Sequence, residues 1–218
     1  MDLSAEAVRI LGALIEKQRT VPDTYPLTLN ALVGACNQTS NRWPVVSYDP
    51  GTVQRTLDAL KGLGYVRFVH PAHGERTTKF RQVVDEKLGL GPDETAVLAV
   101  LMLRGPQTVG ELRSRTERLH AFDSTAAVQG VLDRLAARPE PLVVALPRAL
   151  GQKEGRWAHL LAGPVDVEAV AAAPPGAEQA PRRGGSGLEE RVAALEARVA
   201  RLFELLGEDP EAPPAQPG

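Results

Sequence analysis

Apolar residues recur at helical spacing from the start of the chain. In LSAEAVRILGALIEKQ, Ala7, Leu11, Leu14 and Ile15 share one face and Ser4 stands where an N-cap belongs. After the breaks at Pro22 and Pro26, Thr28 caps a second short helix with Leu29, Leu32, Val33 and Cys36 inward. The polar run NQTSNRWP cannot continue as helix towards Pro44. Asp49 or Pro50 opens a third helix, with Val53, Leu57 and Leu60 inward and Gly62 and Gly64 closing it. The period then changes from helical to alternating. Val66 and Phe68, followed by Phe80 and Gln82 across Pro71–Gly74, predict a β-hairpin with a long tip.

The same order returns. Glu94 to Arg104 is an apolar helix, Thr108 caps a short one, and Ser124 to Arg138 is a third with Val128, Leu132 and Leu135 inward. LVVALPRALGQKEGRWAHLL then reads as a second hairpin with a polar tip at Gly151–Gly155. Val53/Leu57/Leu60 and Val128/Leu132/Leu135 share their spacing, so the pattern predicts two diverged copies of one module. Three helices and a hairpin are the order of a winged helix. The expected fold is mostly α with small β-hairpins (α+β): two tandem winged-helix modules, residues 1–86 and 90–163, the first with the longer loop between its second and third helices.

Past residue 163 the pattern changes. Residues 164–187 read as a flexible linker, the stretch PPGAEQAPRRGGSG having nothing to bury. Over 188–207 a heptad appears, with Leu188, Leu195 and Leu202 at d and Val192, Val199 and Leu206 at a; residues 208–218 read as a disordered tail. Valine at two a positions and leucine at every d position favour a parallel pair, so the expectation is a C-terminal coiled-coil helix that makes a homodimer through these six residues, the rival being a monomer whose tail helix docks on its own module.

Composition narrows the function classes. With 4% aromatic residues in 218, a surface that stacks single-stranded bases is not expected. The longest apolar run, Ala96–Leu103, is far short of a membrane span. No secretory leader is visible, and the lone Cys36 excludes an internal disulfide, pointing to a cytoplasmic protein without membrane contact. The formal charge of −2 hides an asymmetry: the first module carries an excess of basic residues and the region after residue 164 an excess of acidic ones.

Several strings, LSAEAVRILGALIEKQ, TVPDTYPLTLNALVGACNQTSNR, LRGPQTVGELRSRTERLHAF and PLVVALPRALGQKEGRWAHLL, resemble the YceH-type family of bacterial proteins over roughly Leu3 to Leu161. The resemblance implies a tandem winged-helix fold in a bacterial cytoplasm and implies no reaction.

Four groups of residues are candidates for chemistry. Thr52, Gln54, Arg55, Asp58 and Lys61 form the outer face of the third helix, where Arg and Gln can read base edges in a major groove. An ordinary solvated helix face uses the same residue types. Asn37, Gln38, Ser40, Asn41 and Arg42 can grip phosphates or serve only their own loop. The hairpin tips offer His70, His73, Arg76 and Lys79, then Arg148, Lys153 and Arg156, as backbone contacts or as plain solubilising charge. In the second module Arg113, Arg115 and Arg118 stand among Glu111 and Glu117, and its third helix exposes Gln129, Gly130, Asp133 and Arg134, a weaker phosphate surface. The residues expected to touch DNA are therefore Asn41, Arg42, Gln54, Arg55, Lys61, Arg76 and Lys79. A continuous positive stripe across Arg42, Arg55 and Lys79 would favour duplex DNA, and a mixed surface would favour a protein-binding adaptor.

Catalysis has little support. There is no Gly-rich phosphate loop, HExxH or G-x-S-x-G. Cys36 lies on an apolar face, and Trp43 and Trp157 read as core or hinge residues. His70 and His73 lack a third ligand at suitable spacing. No catalytic residue, metal site or cofactor is expected.

Overall fold

A computed structural model of the protein describes residues 2–70, 77–148 and 154–165. The expected linker from residue 166, the heptad residues Leu188, Val192, Leu195, Val199, Leu202 and Leu206, and the tail lie outside the described residues. So does Arg76. The chain divides into two compact units, residues 1–179 and 180–218, and the described helices and strands belong to the first.

The architecture is α+β, with helices and two small antiparallel sheets. Helix α1 (Ala5–Thr20) starts where the Ser4 hydroxyl accepts from the Ala7 amide. A two-residue strand β1 (Leu27–Thr28) leads directly into α2 (Leu29–Cys36), whose cap is Thr28. Helix α3 (Pro50–Gly62) is capped by Asp49, with Pro50 in the first turn, where its missing N–H costs nothing. Strands β2 (Val66–Val69) and β3 (Lys79–Gln82) form the expected hairpin, and β1 adds to its far edge in the order β1-β3-β2. Phe68 stands opposite Phe80 and Val66 opposite Gln82, the two rings meeting edge to face at 4.8 Å. A short helix α4 (Val84–Leu88) follows and straddles the expected end of the first module.

The second pass repeats the order. Helices α5 (Pro92–Arg104), α6 (Val109–Thr116) and α7 (Thr125–Ala136) precede the hairpin of β4 (Val143–Leu146) and β5 (Arg156–His159). Where β1 joins its sheet, the second copy makes a single bridge, Gln107 to Trp157, just before the Thr108 cap. Residues 37–49 join α2 to α3, whereas 117–124 suffice between α6 and α7, which is the longer first loop that the sequence predicts. The inward residues are also as expected: Val53, Leu57, Leu60, Val128, Leu132 and Leu135 are all buried.

The two passes do not stand apart. Helix α1 packs along α5 in the most extensive helix–helix contact of the described residues, and buried side chains from both copies form one continuous core. Two backbone hydrogen bonds tie the copies further: Leu3 N–H to Leu161 O at 2.9 Å and Trp43 N–H to Leu103 O at 2.8 Å. Helix α1 is consequently buried almost all round over Ala7–Ile15, not on one face. Gly12 makes the close approach possible, since a Cβ there would lie 2.9 Å from Leu103 Cγ.

Candidate nucleic-acid interface

Helix α3 is positioned by its inner face. Val53, Leu57 and Leu60 are sealed in the core, so Arg55, Asp58 and Lys61 face solvent and Gln54 is half-buried. Its start is held firmly: Asp49 accepts from the Thr52 amide at 2.9 Å and from the Thr52 hydroxyl at 2.6 Å. Those Thr52 hydrogen bonds hold the Asp49 carboxyl below its ordinary value. The outer side chains are only lightly engaged. Arg55 donates to Thr52 Oγ1 at 3.1 Å, and Gln54 donates to Asp58 Oδ1 at 3.2 Å. Lys61 sits with its ammonium 4.4 Å from the Phe68 ring centroid.

Beyond the end of α3 the surface continues into an open concavity lined by Lys61, Arg67, Phe68, Glu86 and Lys87. Arg67 and Arg81 stand opposite each other on β2 and β3 and share Glu86, at 3.0 and 3.2 Å. Arg67 and Lys87 are cations of this surface that the sequence reading passed over. The signal was present for Arg67, which lies between the inward Val66 and Phe68 and so had to point outward. Lys79 is half-buried at the start of β3, paired in register with Val69 and Thr28.

Of the two roles open to the loop from Asn37 to Tyr48, the hydrogen bonds show service to the fold. Asn37 closes it locally, donating to Tyr48 O at 2.9 Å and accepting from the Tyr48 amide at 2.8 Å. The side chain of Arg42 is 0% exposed and forked onto Glu16 at 2.6 and 3.1 Å. Asn41, at φ +60°, accepts from Arg104 of α5. As a phosphate contact Arg42 is therefore a correction: a guanidinium whose donors are all used inside the protein has none to offer, whereas Asn41 is exposed and spends only its Oδ1 on the tie to the second copy. The positive stripe across Arg42, Arg55 and Lys79 that would favour duplex DNA is interrupted at Arg42.

The second copy offers less. Gln129 donates to Asp133 Oδ1 at 2.7 Å, repeating the Gln54–Asp58 pair, but Gly130 stands where α3 has Arg55. Arg134 is held by Asp93 at 2.5 Å and Glu94 at 3.6 Å. Arg113 donates to the carbonyls of Phe122 and Asp123, and Arg115 pairs with Glu111 at 3.3 Å.

Among the described residues no group of three or more His, Cys, Asp and Glu side chains could hold a metal ion, and no helix is long and apolar enough to cross a membrane. Cys36 is buried, and desolvation pushes its thiol up to about 12 against the opposing charges of Arg9 and Arg42. At that value it stays protonated at neutral pH and is a poor nucleophile.

A family model described as "Protein of unknown function, DUF480" matches residues 3–152. A UPF0502 protein of Dechloromonas aromatica is 48% identical over 208 residues, covering 94% of each chain. One from Opitutus terrae is 52% identical over 194 residues, 88% of this chain and 83% of its own. A third, from Geobacter sulfurreducens, is 50% identical over 196 residues, 89% of this chain and 87% of its own. With one family model over most of the folded residues and bacterial relatives aligned nearly end to end, the chain belongs to the DUF480 family of UPF0502 proteins.

Proposed function

We propose that this protein, read as two winged-helix modules of the YceH type, is a non-enzymatic, cytoplasmic regulator that binds duplex DNA as a homodimer, with α3 of the first module laid in the major groove. The observation that supports it is the outer face of α3, where Gln54, Arg55 and Lys61 line a helix whose opposite face, Val53, Leu57 and Leu60, is sealed in the core. On this reading Arg55 reaches a base edge, and Lys61 and the exposed Arg67, which shares Glu86 at 3.0 Å, neutralise phosphates. Arg55→Ala should relax preference at one base position and cost about 1–3 kcal/mol of binding. Arg134→Ala should change little, because that guanidinium is already paired with Asp93 and Glu94. Fluorescence anisotropy with genomic duplexes at two salt concentrations measures both. If the wild-type protein binds no duplex below roughly 100 μM, the upper end of ordinary non-specific affinity, the reading fails.

The second reading is a protein-binding adaptor, since winged helices also serve in that role. It is favoured by the burial of Arg42, which leaves Asp58 and Glu86 to mix the charge of the remaining surface. Dimerisation is assigned to the heptad of residues 188–206. Deleting residues 188–218 should halve the mass seen by light scattering, and a truncated chain that remained a dimer would reject the coil as the dimeriser.

A further inference from the structure

A cavity of about 300 Å³ lies where the two copies meet, between α1, the segment 43–48, the end of α5 and the residues that follow β5. That is at the small end of the range for ligand pockets. Its walls are mostly apolar, with Val8, Trp43, Tyr48 and Met102 among them. The Trp43 indole is held as a fixed wall: its backbone N–H is bonded to Leu103 O, and Gly105 lets the ring approach so closely that a Cβ there would be 3.1 Å from Trp43 Cε3. Trp43 is still 38% exposed and neighbouring Val45 56%, so the rim of the cavity is apolar and open to solvent.

Besides the Tyr48 hydroxyl, which lies near enough to Arg9 to interact with its charge, two polar residues break the apolar lining, and both are incompletely satisfied. Arg9 is 3% exposed. It donates to Cys36 O at 3.2 Å and to Pro44 O at 2.6 Å, but its Nε has no acceptor. Among the described residues no carboxylate forms an ion pair with it. Desolvation and the like charge of Arg42 pull its pKa below the ordinary arginine value. The contrast with Arg42 is direct, since that buried guanidinium has Glu16. Buried charges are ordinarily paired, and Arg9 has only carbonyl dipoles. His159 also lines the cavity with its Nδ1 buried and unpartnered, and burial pushes its pKa down to about 4, so the ring is neutral at physiological pH.

We propose that this cavity is a binding site for a small apolar molecule bearing one carboxylate, with Arg9 as its counter-ion. The apolar walls take the body of the ligand, and the carboxylate supplies the negative charge and the hydrogen-bond acceptors that Arg9 lacks. A neutral ligand of the same shape would fill the walls and leave Arg9 as it is. The site stands independently of DNA binding, because it involves no residue of α3.

The test is calorimetric titration of the full chain with octanoate, 4-phenylbutyrate and 2-naphthoate, each beside its primary amide. At least one carboxylate should bind once per chain and about tenfold or more tighter than its amide. Arg9→Met should bind acid and amide alike. Ala162→Phe, a change at an exposed residue of the cavity lining, should abolish binding of both while leaving the core untouched. The proposal is overturned if none of the three acids binds up to about 1 mM, if wild type does not distinguish acid from amide, or if Ala162→Phe leaves the affinity unchanged. Retention of the acid preference by folded Arg9→Met would also overturn it. Should Arg9→Met fail to fold, the acid–amide contrast and Ala162→Phe decide the matter.

Discussion

Arg42→Ala should destabilise the fold by about 3–5 kcal/mol, the range for removing one partner of a buried ion pair. All five donor hydrogens of this guanidinium find acceptors. Nε bonds Ala35 O at 3.1 Å, Nη1 bonds Asn41 O at 2.9 Å and Glu16 Oε1 at 3.1 Å, and Nη2 bonds Gln38 Oε1 at 2.8 Å and Glu16 Oε2 at 2.6 Å. Truncation would orphan the end of α2, loosen the loop that reaches α5, and leave Glu16 with Lys17, at 3.2 Å, as its remaining cation. Arg42→Lys should rescue little, because a point charge cannot reproduce the fork. The change in urea midpoint measures this, and a loss under about 1 kcal/mol, the scale of an ordinary surface pair, would remove the loop's assigned role. The effect has a pH signature. Burial by itself would raise the Glu16 carboxyl, but the hydrogen bond and charge of Arg42 outweigh it and hold the pKa below its ordinary 4.5. A carboxylate depressed in the folded state contributes stability that is complete above the unfolded value and is lost as pH falls through the folded one. The gap between wild type and Arg42→Ala should therefore narrow as pH drops below about 4.5.

Gly12→Leu should cost about 2–3 kcal/mol by forcing α1 away from α5, towards the upper end of the usual overpacking penalty. The site cannot yield locally. Even a Cβ would stand 2.9 Å from Leu103 Cγ and 3.1 Å from Met102 Cβ, and both neighbours are buried. Greater helix propensity offsets at most about 1 kcal/mol of this. Because the two copies share one core, wild type should melt in a single transition. If Gly12→Leu left the midpoint unchanged, or wild type melted in two well-separated steps, the α1–α5 contact would not be the seam that joins the copies. The cavity lies beside this seam, with Met102 in its wall and next to Leu103, so a variant that opens the seam should also disturb ligand binding there.

The two predictions act on residues that the sequence treats very differently from the structure. Local signals were legible wherever the cause was local. Ser4, Thr28 and Thr108 each accept the amide that a cap accepts, as the sequence reads them, and Asp49 and Ser124, read only as helix starts, do the same, because a cap needs only a hydroxyl or carboxylate and a backbone N–H three residues on. The hairpin followed from alternation, which puts Val66, Phe68, Phe80 and Gln82 on one face, and the structure then pairs Phe68 with Phe80 and Val66 with Gln82. The outward face of α3 followed from the period of Val53, Leu57 and Leu60. What the sequence by itself determined is thus the set of elements, their inner faces and the repeat that pairs them.

Tertiary structure decided what meets the polar residues. A basic side chain in a loop rich in amides reads the same whether it faces a phosphate or a carboxylate of its own chain. Glu16, which claims Arg42, lies two helices earlier, and Arg104, which claims the Asn41 side-chain oxygen, lies in the other copy. Helix α1 shows the same limit. Its spacing marks one apolar face, yet Arg9 and Ile10 on its other sides are buried too, Arg9 against the carbonyls of Cys36 and Pro44 at and beyond the end of α2. Whether Arg9 is solvated or left as an unpaired cation beside a cavity depends on residues from α1, the 43–48 segment, α5 and β5 meeting at one place. Periodicity carries the direction in which a side chain leaves its own element, and only the packing of distant elements fixes what it finds there.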